Sequence, residues 1–238
     1  MSPFSYFYIA LSYAAILVFV VGFLYRIRVY AKTPAPLVVI GTPGGKTRLG
    51  TAARLGMDVV FFSSLFKGNK AIWIGAYVFH AALVVIVFRH CRYFFDPLPE
   101  WFMYLQPAGV YAGFAALGGL LYLWGRRLFQ ERTRYISSFS DHFSLLLLIA
   151  IVGTGLLMKF VVRTDVIAAK AFVLGLVRLH PAPVPADFWF LLHFSLVLFL
   201  LVYFPFSKLM HAGGVFFSPS RNQPDWTRST EPRHVAPF

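Results

Sequence analysis

Four histidines lie inside, or at the ends of, two very apolar stretches of this sequence: His80 and His90 in the first, His193 and His211 in the second. An imidazole in a membrane span is energetically expensive, so it usually has a functional role. Two neutral imidazoles on one heme iron fill both axial positions, which suits the iron to carry electrons rather than to bind oxygen. The pattern therefore predicts two bis-histidine hemes stacked across a membrane.

The spacing of the histidines predicts which of them pair. His80 and His90 are ten residues apart, which is about 15 Å along an α-helix and about 80° around it. His193 and His211 are eighteen residues apart, which is about 27 Å, or about five turns, of a continuous helix. If the two helices are antiparallel, His90 lies level with His193 and His80 with His211. Helix tilt, or a bend at Pro205, must then absorb a difference of about 12 Å.

The composition is that of an integral membrane protein. Hydrophobic residues make up 58% of the chain and charged residues 13%, whereas a soluble domain has about 25% charged residues. The single cysteine, Cys91, excludes an internal disulfide. It also excludes a Cys-ligated iron–sulfur cluster or a Cys-rich zinc site within the chain. The net charge of +13 does not indicate nucleic-acid binding, because no basic stretch belongs to a recognisable binding module.

Five segments approach the roughly 20 apolar residues that cross a bilayer. They lie at about 4–25, 71–91, 105–125, 142–162 and 188–210. We expect an all-α integral membrane protein, a five-transmembrane-helix bundle over residues 1–215, followed by a polar tail, 216–238, that binds a cytoplasmic partner. Sixteen of the 22 Lys and Arg residues lie in the first loop, the third loop and the tail. This distribution predicts a periplasmic N-terminus and a cytoplasmic C-terminus.

The loops carry further predictions. MDVVFFSSLF (57–66) is too short to span and is expected at the membrane interface or against a partner. VIAAKAFVLGLVRL (166–179) predicts a short helix along the periplasmic face, after which Asp187 caps the fifth span. GTPGGKT (41–47) has one residue too few for a phosphate-binding loop, so we interpret it as a turn. The glycines expected to permit close helix packing are Gly113, Gly118, Gly119, Gly153 and Gly155.

The remaining histidines are weaker candidates. His142, at the inner end of the fourth span, is an interfacial residue, a replacement ligand for His80 or His211, or a quinone contact. His180 and His234 lie in loops. Two other function classes stay open at this point: a heme-free membrane anchor, and a proton or small-solute channel lined by histidines.

The five spans and the two histidine spacings resemble the gamma subunit of respiratory nitrate reductase. Two stretches are similar to that family's third and fifth spans: GRRLF (125–129) and LLHFSLVLFLLVYFPFSKLMH (191–211). The resemblance covers about residues 60–215. It implies two b hemes, with His90 and His193 as the axial ligands of an outer heme, and His80 and His211 as those of an inner heme.

The ends of the chain look more like the DsrM family, the cytochrome b subunits of the membrane complex linked to dissimilatory sulfite reductase. The stretches are APLVVIGTPGGKTR in the first loop and HAGGVFFSPSRN at the start of the tail. This resemblance implies a cytoplasmic iron–sulfur partner (DsrK), a periplasmic multiheme cytochrome c, an iron–sulfur protein, a second membrane subunit and, indirectly, the small protein DsrC. All of this implies the cytoplasmic membrane of a prokaryote.

The function implied is electron transfer between membrane quinone or quinol and the iron–sulfur subunit in sulfur-compound respiration. The alternatives are the gamma subunit of a respiratory nitrate reductase and a heme-free anchor. The nitrate reductase family supports quinol binding with a lysine in the outer loop after the second span, but RYFFDPLPEWFMYLQP has none. Candidates near a quinone, such as menaquinone, are Arg89, Arg92, Lys159 and His142. The three basic side chains either polarise a quinone carbonyl or neutralise heme propionates and reach toward lipid headgroups.

Overall fold

The computed structural model describes residues 1–34 and 47–223, and all regular structure within these ranges is helical. The helices are α1 (Pro3–Lys32), α2 (Arg48–Phe61), α3 (Ser63–Gly68), α4 (Lys70–His90), α5 (Phe102–Phe129), α6 (Glu131–Tyr135), α7 (Phe139–Leu157), α8 (Val166–Val177), α9 (Phe188–Tyr203), α10 (His211–Gly214) and α11 (Pro219–Asn222). Five of them, with their terminal turns, are long and apolar enough to cross a membrane: α1, α4, α5, α7 and α9. The predicted five-helix membrane bundle is confirmed, and α8 is the predicted short helix. Apart from Thr47, the GTPGGKT stretch lies outside the described residues.

Polar side chains cap the N-termini of three spanning helices. Asn69 accepts a hydrogen bond of 3.0 Å from a first-turn N–H of α4. Asp187 accepts one of 2.8 Å from the N–H of Phe190 at the start of α9, which confirms the predicted cap. At the start of α7, Ser138 and Asp141 form a capping box. Each of these side chains satisfies a backbone donor that the first turn of a helix leaves unpaired.

The spanning helices pack in the order α4, α5, α7, α9, α1. The contact of α4 with α5 is the most extensive, and Phe79, Ala112, Ala116 and Leu120 form a buried core there. In the described ranges, α4 and α9 are not among the extensively packed pairs. The two helices that carry His80, His90 and His193 are therefore separated by α5 and α7.

Two glycines allow the close approach of neighbouring helices. A Cβ added to Gly119 of α5 would lie 3.1 Å from the backbone oxygen of Gly75 in α4, and one added to Gly113 would lie 2.7 Å from the Leu156 side chain of α7. An added methyl group would therefore crowd the α4 backbone at Gly119 and displace the Leu156 side chain at Gly113. The prediction is wrong for two other glycines, which have open space beside them: Gly118 and Gly153.

The fifth span is shorter than predicted. α9 ends at Tyr203, and a 3-10 turn (Phe204–Phe206), an extended Ser207 and a second 3-10 turn (Lys208–Met210) lead to α10. Pro205 lacks the N–H that would continue the helix, and its ring is packed so closely on Gly22 that an added Cβ would lie 2.7 Å away. The bend expected at Pro205 is therefore present, and the helix ends before the predicted limit at residue 210.

The bundle has two distinct ends. The α8 end comprises the start of α1, residues 91–101 and α8, and there Lys170 pairs with Asp96 at 2.8 Å. The α2 end comprises the end of α1 together with α2, α3, α6, α10 and α11, and there Arg26 donates to the carbonyl of Pro205 at 3.1 Å. Most lysines and arginines of the described residues belong to the α2 end.

Candidate functional site

His80 and His211 face one another at the α2 end. His80 lies in α4 and His211 begins α10, and their ring centres are 6.0 Å apart with the planes at 80°. A zinc–imidazole bond is about 2 Å long, and the bonding nitrogen lies about 1 Å from the centre of its ring. Two such bonds on opposite sides of one metal ion therefore separate the two ring centres by about 6 Å. The distance between the two rings therefore fits an iron atom between them.

His90 and His193 form a second pair, at the α8 end. His90 is the last residue of α4, and His193 lies near the start of α9. The two rings are close enough for the charge of one to act on the other. A Cβ added to Gly155 would lie 3.3 Å from Cε1 of His193. The glycine thus lets α7 lie against the imidazole without displacing it.

All four imidazoles have a hydrogen-bond partner at Nδ1, and in three cases it is a backbone carbonyl of the same segment. These carbonyls belong to Ala76 for His80 (2.7 Å), Ile86 for His90 (2.8 Å) and Lys208 for His211 (2.8 Å). A carbonyl only accepts, so Nδ1 carries the hydrogen and Nε2 keeps the lone pair that binds a metal. This is the tautomer that an axial heme ligand with Nε2 toward the iron requires.

The fourth imidazole is oriented by a side chain. Oγ1 of Thr154 in α7 lies 2.9 Å from Nδ1 of His193, and the hydroxyl donates to the carbonyl of Ala150 (2.8 Å) or Ile151 (3.0 Å). With its hydrogen used there, Oγ1 accepts from the Nδ1–H of His193. The sequence analysis missed Thr154, because a threonine in an apolar helix belongs to no recognisable pattern.

The four histidines fit two b-type hemes, one at each end of the bundle. A bound heme supplies one-electron exchange at its iron. His80 with His211, and His90 with His193, would hold the two hemes, and the chain sets the imidazole tautomers and surrounds the sites with apolar helices. Within residues 1–34 and 47–223, His, Cys, Asp and Glu do not gather in groups of three or more, which is the number typical of metal sites built from side chains alone.

The corner between α2 and α3 closes over His80. Phe62 forms this corner with φ of 51°, and its ring meets the His80 ring edge-on with centres 5.0 Å apart. A left-handed conformation is costly for an aromatic residue and persists only where the surroundings impose it. The segment 57–66 is therefore two helices broken at Phe62, and it contacts the candidate site of its own chain. The sequence analysis missed this contact, and the expected contact with a partner stays a prediction.

A buried carboxylate holds the corner in place. The Asp58 side chain is 1% exposed and pairs with Arg221 of α11 at 3.4 Å. It accepts hydrogen bonds from Oγ of Ser63 (2.5 Å) and from the N–H of Ser64 (2.9 Å). Burial raises the pKa of this carboxyl, but the hydrogen bonds from Ser63 and Ser64 and the charge of Arg221 outweigh it, so the pKa lies below its ordinary value of 3.8. Asp58 is therefore ionised at neutral pH and ties α2, α3 and α11 together.

Two of the four quinone candidates flank the pair at the α8 end. The stem of Arg89 lies across Gly109 of α5, where an added Cβ would be 2.9 Å from the arginine Cβ. Arg92 donates to Oε1 of Gln106 at 3.1 Å. Both arginines act electrostatically on His90. Of the cations that these contacts identify, Arg89 and Arg92 are therefore the closest to His90 and His193.

The other two candidates lie at opposite ends of the fourth span. Lys159 lies at the α8 end, in the π-helical turn Met158–Val162 that continues α7. His142 lies in α7 at the opposite end. In the described part of the chain no ring contact links His142 to His80 or His211, whose rings face one another directly.

Comparison with known proteins agrees with this architecture. The sequence profile of the nitrate reductase gamma subunit family matches residues 50–221. A protein of Archaeoglobus fulgidus named "Hdr-like menaquinol oxidoreductase cytochrome b-like subunit" is 35% identical over 97% of this chain and 82% of its own. A protein of the same name from Archaeoglobus profundus is 33% identical over 100% of this chain and 84% of its own. The chain therefore belongs to the nitrate reductase gamma subunit family of membrane cytochromes b, as a multi-pass electron-transfer protein of the prokaryotic inner membrane.

Proposed function

We propose that this chain is a diheme b-type cytochrome that transfers electrons between a membrane quinone and a cytoplasmic iron–sulfur subunit. The observation that carries the proposal is the facing pair of His80 and His211 at the α2 end, together with His90 and His193, which lie within electrostatic range of one another at the α8 end. His80 and His211 would hold one b heme, and His90 and His193 the other. The relatives are named as menaquinol oxidoreductase subunits, which supports menaquinol as the electron donor.

The charge distribution supports one orientation in the membrane. Lysine and arginine are retained on the cytoplasmic side, and most of those in the described ranges lie at the α2 end. The α2 end is then cytoplasmic, with His80 and His211 at the inner heme, and the α8 end is periplasmic, with His90 and His193 at the outer heme. The N-terminus is outside and the C-terminus inside.

We place the quinone beside the outer heme. Arg89 and Arg92 support this position, because their guanidinium groups lie near His90 and can donate to a quinone carbonyl. With the donor at the α8 end and the acceptor at the α2 end, each electron crosses the membrane. A quinone analogue found beside the inner heme instead would contradict this arrangement.

The α2 end is where the iron–sulfur partner would bind. The relatives' names contain "Hdr-like", which supports a partner that resembles heterodisulfide reductase, as DsrK does, in a complex linked to sulfite reductase and DsrC. The proposed partner-binding tail, 216–238, starts on this surface. Arg54 of α2 donates to the carbonyls of Arg221 (3.1 Å) and Gln223 (2.7 Å), and residues 224–238 lie outside the described range.

The test is a reduced-minus-oxidised spectrum of the purified chain with pyridine hemochrome quantitation. We expect two b hemes per chain. A heme-free anchor or a histidine-lined channel predicts none. Copurification with an iron–sulfur subunit of the Hdr type, rather than with the subunits of a nitrate reductase, separates the proposed complex from the nitrate reductase alternative.

Replacement of His193 by alanine assigns the ligands. We expect the variant to lose the outer heme and keep the inner one, so that heme content falls by about half. The matched control is His180→Ala, because His180 also lies at the α8 end and its Nδ1 is also hydrogen-bonded, in this case to the carbonyl of Arg178 at 2.8 Å. Equal heme loss in both variants would mean that His193 is not an axial ligand.

A further inference from the structure

The chain reaches His211 by an irregular route. After α9 ends at Tyr203, two 3-10 turns separated by the extended Ser207 lead to His211. A continuous helix would fix the position of His211 through its ladder of hydrogen bonds, but 3-10 turns are short and have poorer hydrogen-bond geometry. The imidazole therefore depends on other contacts for its position.

Lys208 ties this irregular segment to α7. Its Nζ lies 2.9 and 2.8 Å from the two carboxylate oxygens of Asp141. The carboxylate is 8% exposed and also accepts from the N–H of Ser138 at 2.9 Å. Arg127 adds a second cation at 3.8 Å. Asp141 is thus an acceptor fixed at the start of a regular helix, and Lys208 is held against it.

The main chain of the same lysine orients the imidazole. The carbonyl of Lys208 accepts the hydrogen bond of 2.8 Å from Nδ1 of His211. The side chain of Lys208 therefore fixes the residue whose backbone sets the direction of Nε2 in His211. The other three candidate ligands lie within α4 and α9, where the regular helix fixes the position of their main chain.

We propose that the ion pair between Asp141 and Lys208 is a clamp that positions His211, and so controls the binding and spectroscopic signature of the inner heme alone. The inference rests on the proposed diheme function. Asp141 and Lys208 are positioning residues, since they act on the heme through the backbone of Lys208.

The first test is Lys208→Met in the full chain, which keeps the methylene stem and removes the ammonium group. We expect about tenfold weaker retention of the inner heme, the effect typical of outer-shell changes at metal sites, and a shifted low-spin ferric signal in electron paramagnetic resonance. The outer heme should be unchanged, and Lys208→Arg should behave as wild type. The matched control is Lys170→Met, which breaks an ion pair of equal length (2.8 Å) with Asp96 at the opposite end and should leave both signals intact.

A second variant covers the case in which Lys208→Met does not assemble, because removal of Lys208 leaves the buried Asp141 charge with the more distant Arg127, at 3.8 Å, as its cation. The double variant Asp141→Asn/Lys208→Met removes both charges. We expect it to assemble with a normal outer-heme spectrum, which reports correct folding, and with a perturbed inner heme. An inner heme identical to wild type in either variant, or equal changes in both hemes, would refute the clamp. A wild-type chain without b heme would instead refute the proposed function, and the clamp with it.

Discussion

Thr154→Val tests whether one hydroxyl tunes an axial heme ligand. Valine has nearly the shape of threonine, and Thr154 is 8% exposed, so the packing of α7 should be preserved. The substitution removes the acceptor 2.9 Å from Nδ1 of His193. The other three imidazoles bond to backbone carbonyls, which no side-chain substitution removes. His193 is therefore the candidate ligand on which this experiment is possible.

The magnitude follows from the hydrogen bond that is lost. Such a bond contributes about 0.5–1.5 kcal/mol, and it is stronger when the imidazole is bound to ferric iron, because added positive charge makes Nδ1–H a better donor. If the ferric form loses about 0.5–1 kcal/mol more than the ferrous form, the outer-heme potential rises by about 20–40 mV, since a one-electron couple changes by 59 mV per tenfold.

The assay is an optical redox titration of wild type, Thr154→Val and Thr154→Ser. Serine keeps the hydroxyl and serves as the control, so only the valine variant should show the higher outer-heme potential. The inner heme, at the other end of the bundle, should titrate as in wild type. No shift with valine, a shift to lower potential, or an equal shift with serine would refute the role assigned to Thr154.

Two further predictions concern the surroundings of the sites. Gly155→Ala places a Cβ 3.3 Å from the His193 ring, so we expect this variant to have a perturbed outer-heme spectrum. The control Gly153→Ala places its Cβ in open space and should leave the spectrum unchanged. Similar spectra for the two variants would show that the close approach of Gly155 to His193 does not matter. The pKa of Asp58 is lower in the folded state than in the unfolded state, so the ionised carboxylate stabilises the fold. This stabilisation is fully present above the pKa of about 4 that an unfolded aspartate has, and it is lost as the pH falls through the pKa of the folded state. Hydrogen exchange of residues 57–66, corrected for the intrinsic rate, should therefore accelerate below about pH 4 in wild type, and this acceleration should be absent in Asp58→Asn.

Local sequence patterns were sufficient for the spans and the candidate ligands. An apolar segment of about 20 residues in a bilayer must bond its own backbone groups, and a helix is the solution for a single segment. The same local rules predicted α8 and the cap at Asp187, which the structure confirms. The histidine spacing predicted that His80 and His211 lie at one level, where their rings are 6.0 Å apart, because it depends only on the rise of a helix and on antiparallel neighbours; the pairing of His90 with His193 as ligands stays a prediction.

Local rules failed wherever the outcome depended on residues far apart in the chain. The fifth span, predicted over 188–210, leaves the α-helical form after Tyr203, and the two glycines that lie open to space share their spans with glycines that are closely packed. Nothing local distinguishes them, because the rotation of a helix about its axis decides which face meets a neighbour.

The sequence by itself determined that this chain is a five-span membrane protein with four histidines at two levels, since hydropathy and helical rise are properties of the segments alone. Only the tertiary structure decided how the imidazoles are held: Thr154 against His193, Phe62 against His80, and Lys208 between Asp141 and His211. These contacts join segments that are far apart in the chain. Their geometry depends on how the packed helices are shifted along, and rotated about, their axes relative to one another, and the hydrophobic periodicity of a single segment does not determine this.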